Sequence, residues 1–180
     1  MNKSTATLSK TSLKLTALLL LWIGALWFNS LIHIAVFFGL YWSFQASIPL
    51  SKKALKNSQL KNPLFIPNAV YRNLLLSFLG LYLLALHFLS ADVAGFIAIG
   101  IGLMFIAKLK ELHYWALLRN REILCYYHIQ LICAAGYLYL GYQQILLTDP
   151  TLLSKGLIST YLLGVMALIH HSSLPDQNPK

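Results

Sequence analysis

LTALLLLWIGALWFNSLIHIAVFFGLYWSFQASIPLS, residues 15–51, carries no formal charge between Lys14 and Lys52. As one helix its 37 residues would run about 55 Å, far more than a hydrocarbon core of ~30 Å requires. The stretch therefore folds back on itself. Asn29-Ser30 is the most polar pair near its middle, which predicts two spans, 13–28 and 31–48, joined by a tight turn.

Working outward from that hairpin, a basic segment at 51–72 holds Lys52, Lys53, Lys56 and Lys61, with Pro49, Pro63 and Pro67 in and beside it; it is expected to be the longest loop. A third span is expected at 73–89. The turn Ser90-Ala91-Asp92 leads into a fourth at 93–107, where Gly95, Gly100 and Gly102 allow a close helix approach. Lys108 to Glu122 (KLKELHYWALLRNRE) read as an amphipathic connector at headgroup level. A fifth span at 123–145, the loop signal Thr148-Asp149-Pro150, a sixth span at 157–169 and a flexible tail at 172–180 complete the chain. The fold class is thus all-α, a six-span transmembrane bundle forming one domain over 1–180.

Composition points the same way. Of 180 residues, 58% are hydrophobic and 11% charged, and the mean hydropathy is +0.65. A soluble domain of this size carries about 25% charge and cannot hide so much apolar surface. Soluble enzymes, disordered regulators and disulfide-stapled domains are excluded. Cys125 and Cys133, about two helical turns apart, are too far from each other to bridge.

The net charge of +9 and pI of 9.6 read as topology and attraction to anionic lipid headgroups, with no nucleic-acid partner. Six spans with both termini cytoplasmic place every basic residue inside except Lys155, and leave Asp92 and Asp149 in short outer turns. The expected location is a bacterial-type cytoplasmic membrane. Lysines precede the first apolar run, but no small-residue cleavage pattern follows, so it is read as an uncleaved span.

None of the five carboxylates falls inside an expected span, and P-loop, dinucleotide and HExxH signatures are lacking. Chemistry then falls to the six histidines. His33 and His87 each lie three residues from an outer turn and share a depth, the precondition for joint metal ligation, with hydrogen bonding at a helix end as the plainer alternative. His128, His170 and His171 cluster toward the inner side, while His113 in the connector reads as solvated. Tyr137, Tyr139 and Tyr142 read as an interfacial aromatic belt.

From the connector onward, LKELHYWALLRNRE, LCYYHIQLICAAGYLYLGY, DPTLLSKG and LISTYLLGVMALIHHSSLP resemble the C-terminal half of the NnrS family, polytopic proteins associated with haem, copper and nitric oxide metabolism. The resemblance covers roughly residues 65 to 175. It places the family's span-opening histidine on His128 and its terminal histidine on His171, followed by Ser172 in place of threonine. His170, Ser173 and Leu174 depart from the terminal motif, and Gly156 stands near where a further histidine is usual. The resemblance implies haem b or copper bound through His128 with His171, to which the clustering on the inner side adds His170, in nitric oxide or respiratory-stress metabolism. The alternative is a cofactor-free membrane subunit or assembly factor that packs on a larger complex through the glycine-bearing fourth span; a membrane protein partner or a homo-oligomer is the expected association. Transport ranks third, since the spans lack carboxylates.

Overall fold

The computed structural model describes residues 3–25, 29–58, 68–109, 120–146 and 152–173. Six helices occupy them: α1 Lys3–Gly24, α2 Ser30–Ser58, α3 Ala69–Phe88, α4 Ala91–Leu109, α5 Arg121–Ile145 and α6 Leu152–Ser173. Among the described residues there is no strand. α2 to α6 are each long and apolar enough to cross a membrane, and the chain is a multi-pass membrane protein.

The helices outrun the apolar stretches that define the expected spans, because a helix ends where its backbone is capped rather than where hydropathy falls. Asn68 caps α3, its Oδ1 accepting the Val70 N–H at 2.8 Å, so the helix begins at Ala69, four residues before the expected start at 73. Asn120 does the same for α5 through Glu122 N–H at 2.9 Å, and Glu122 adds a favourable charge to the first turn. α2 continues through Pro49 to Ser58, so the first eight residues of the segment expected as a loop at 51–72 are helical. Proline removes one backbone hydrogen bond, a loss that membrane helices absorb. Residues 59–67, most of the connector with His113, and 174–180 of the tail lie outside the described residues.

The first expected span differs most. α1 is helical, but its apolar part is only Thr11–Gly24, shorter than a full crossing, and 26–28 lie outside the described residues. It runs antiparallel to α2: Lys14 Nζ donates to Gln45 Oε1 at 3.3 Å, while Gly24 meets Leu31 at the turn.

α2, α3, α4, α5 and α6 close into a ring, each packing on the next and α6 returning to α2. Sequential neighbours are antiparallel, so a ring with an odd number of members must contain one parallel pair. That pair is α2 and α6, which meet at Gly39 against Leu162 and Val165. α1 lies outside the ring across this seam, touching both helices, with Leu18 fully buried beside Gly39.

The most extensive seam joins α4 to α5. A Cβ on Gly95 would sit 2.8 Å from Gly141 O, and one on Gly141 would sit 2.5 Å from Gly95 O, so the backbones touch where only hydrogen fits. The α4 glycines are therefore spent inside the bundle: Gly102 packs on Leu138 and Gly100 on Phe78. Gly80 and Gly156 face open space. Gly141→Ala should destabilise the protein by about 1–3 kcal/mol, whereas Gly80→Ala should be neutral or slightly stabilising through helix propensity. Thermal unfolding in detergent checks this, and equal effects at the two sites would refute the close seam.

Candidate functional site

One ring side chain from each member of the closed ring reaches the axis: His33 from α2, Tyr82 from α3, Phe105 from α4, Tyr137 from α5 and Tyr161 from α6. All five are essentially buried. His33 meets Tyr82 edge-on with centroids 4.9 Å apart, and its Nδ1 lies 3.0 Å from the Tyr137 hydroxyl. Phe105 stacks on Tyr137 at 6.3 Å and meets Tyr161 edge-on at 5.8 Å, closing the chain of rings. Such ring pairs are worth ~0.5–1.5 kcal/mol beyond their buried area.

Polar partners extend this cluster in both directions. Toward the end that carries the α3–α4 turn, the Tyr82 hydroxyl donates to Gln144 Oε1 at 3.2 Å and accepts from its Nε2 at 2.9 Å. Toward the opposite end, α5 presents Cys133, Gln130 and Tyr126 to the interior, and Lys108 Nζ donates to the Tyr126 hydroxyl at 3.1 Å. Ser43 and Ser47 of α2 line the same half, each donating to a carbonyl three residues back in its own helix. The inward face of α5 thus reads Tyr126, Gln130, Cys133, Tyr137 and Gln144, a polar or polarisable group at nearly every turn over about 27 Å.

The basic side chains gather at the Lys108 end. Lys52, Arg72, Lys108 and Arg121 all lie there, and the Arg72 guanidinium rests 4.6 Å from the Phe44 ring centre while donating to Asn73 Oδ1. Asp92 and Lys155 start α4 and α6 at the other end.

Of the histidines nominated from sequence, only His33 points inward. His87 is exposed on α3, its Nδ1 donating to Leu83 O at 2.9 Å. His33 lies level with Tyr82, five residues from His87, which separates the pair by about 7 Å in depth as well as by direction. Two residues equally far from a turn in sequence share a depth only if the helix ends at those turns lie level; α2 starts three residues before the His33–Tyr82 level, whereas α3 runs six residues past it.

His128 is exposed on α5 with Nδ1 donating to Leu124 O at 2.8 Å, and His170 and His171 are exposed in the last turn of α6. Glu122 meets His171 at 4.0 Å and Ile129 packs under Gly164, which sets the α5–α6 register. By that register His128 lies level with Val165, about 9 Å from the level of His171. One haem iron needs two ring nitrogens about 4 Å apart, so the set His128, His170 and His171 does not fit a shared ion in this packing. Among the described residues no three His, Cys, Asp or Glu side chains gather as a metal site would demand.

Tyr82, Tyr161, Gln130 and Gln144 escaped the sequence reading, and Tyr137 reads there as an interfacial residue. The signal was present in α5 as polar groups spaced four, three, four and seven apart, the repeat of one helical face. Tyr142 is exposed as an interfacial belt residue would be, but Tyr137 is fully buried.

No protein-family model, no curated protein and no solved structure matches this chain. The NnrS resemblance rests on the residues quoted above alone.

Removing the His33 ring leaves the Tyr137 hydroxyl buried without its partner and opens a cavity. His33→Ala should therefore cost about 2–4 kcal/mol, against less than ~0.5 kcal/mol for His128→Ala or His87→Ala on outward faces. Thermal melts of the three variants in one detergent test the assignment; a costly His128→Ala with a silent His33→Ala would reverse it.

Proposed function

We propose that this protein sits in a bacterial-type cytoplasmic membrane with both termini inside, and passes protons along the bundle axis with His33 as the exchanging group. The observation that carries this reading is the inward stripe of α5. An ionisable side chain in a membrane interior is costly to place and points to function by default, and His33 bonds directly to this stripe through Tyr137. Here the stripe extends for nearly the hydrocarbon thickness. Imidazole suits the task because one ring nitrogen can accept a proton while the other releases one, and the Tyr137 hydroxyl at 3.0 Å is placed for either role. The gathering of Lys52, Arg72, Lys108 and Arg121 at one end supports that end as cytoplasmic.

A rival from another class is a cofactor-free subunit that docks on a larger complex. It is weakened because the α4 glycines, the feature that nominated a docking face, are buried against α5, Phe78 and Leu138.

The test is proton entry into liposomes carrying a trapped pH-sensitive dye, driven by a potassium diffusion potential. Protein-bearing vesicles should acidify faster than protein-free ones. His33→Gln, which keeps a hydrogen-bonding side chain but cannot exchange protons at neutral pH, should cut the excess rate about tenfold or more, equivalent to ~1.4 kcal/mol of barrier. Wild-type protein no faster than empty vesicles would overturn the proposal and leave the polar axis as interhelical glue.

A further inference from the structure

Between the His33 cluster and the Lys108–Tyr126 pair, three polar atoms on the axis stand without partners. Both side-chain atoms of Gln130, the amide nitrogen and oxygen, and the Tyr161 hydroxyl are fully buried and make no hydrogen bond. Ser43 and Gln130 are the polar side chains that face the Tyr161 hydroxyl. Neither is placed to complete a bond with it in good geometry. Ser43 Oγ spends its proton on Leu40 O and keeps its acceptor lone pairs. α2, α5 and α6 therefore gather around the Tyr161 hydroxyl a set of two amide N–H donors, one hydroxyl donor and several acceptors.

Such a set is not the signature of a metal or an anion. A cation would call for a shell of acceptors with no donor turned toward it, and an anion for donors without acceptors. Buried groups that mix donors and acceptors match a neutral molecule that both gives and takes hydrogen bonds, with three or four partners, the number that a buried water usually finds.

We infer that Gln130, Tyr161 and Ser43 form a binding station for one or two water molecules, which bridges the polar stripe between Tyr137 and Tyr126. The inference deepens the proton-transfer reading and rests on it for its purpose, though not for its geometry. Phe105 separates the two halves: it touches both Tyr137 and Tyr161 and has no polar atom of its own. A proton leaving His33 through Tyr137 needs a carrier past that ring: with two waters in the station, one held by Tyr161 and Gln130 hands on to a second that reaches the Tyr137 hydroxyl around the edge of Phe105. The step moves one proton along a line of hydrogen bonds, with each oxygen giving up the proton it held as it receives another, so no net bond is made.

Water-edited solid-state NMR of glutamine-labelled protein in lipid bilayers tests the station directly. The Gln130 side-chain signal, identified by its loss in Gln130→Leu, should receive magnetisation from water, and Tyr161→Phe, which removes a single oxygen, should weaken that transfer. Tyr161→Phe should also lower proton flux about five- to tenfold, the rate equivalent of one lost hydrogen bond. A Gln130 side chain out of contact with water would overturn the station even if the vesicles conduct protons. Water contact in a protein that conducts none would uphold the station and strike only the transport reading.

Discussion

The hydrogen bond between His33 Nδ1 and the Tyr137 hydroxyl, 3.0 Å long and fully buried, is the constraint to which the rest of the bundle conforms. In a membrane interior no solvent can replace either partner. The rotation of α2 and that of α5 about their own axes are therefore fixed together, since turning either helix by one residue would strand both groups. With those faces set, Tyr82 must meet His33 from α3 and Phe105 must cover Tyr137 from α4, and the five-membered ring closes around them.

Closure has a cost and a remedy. Five alternating helices leave α2 and α6 parallel, so they cannot be joined by a short turn and are held by packing alone. Gly39 lets Leu162 and Val165 of α6 come close, and α1 lies antiparallel to both across the seam. This explains why α1 is helical and packed although its apolar stretch is the shortest among the described helices. Opposite that seam, the Gly95–Gly141 contact draws α4 and α5 together until backbone meets backbone. One side of the ring is thus tightened by missing side chains and the other by an added helix.

The helical fold was legible in the sequence because hydropathy measures what a membrane selects. The uncharged run 15–51 had to turn back, and it does so near Asn29-Ser30. The ends of the helices were less legible, since Asn68 and Asn120 cap α3 and α5 by hydrogen bonds that hydropathy does not register. The candidate site was legible in only one residue. His33 stood out as an ionisable group in a span, but its partners Tyr82 and Tyr137, and the Tyr161, Gln130 and Gln144 beyond them, are scattered over α3, α5 and α6, which nothing in linear order connects. Counting residues from turns paired His33 with His87, and motif likeness paired His128 with His171. In both cases the facing direction and helix register, which only packing decides, separate the partners.

A double-mutant cycle between His33→Ala and Tyr137→Phe, followed by equilibrium unfolding in lipid–detergent micelles, tests the central constraint most directly. If the two side chains fix the axis together, the coupling should be about 1 kcal/mol or more, toward the upper part of the range measured for interhelical hydrogen bonds in membranes. Strictly additive effects would show that the two groups act independently, and would contradict an axis organised around their bond.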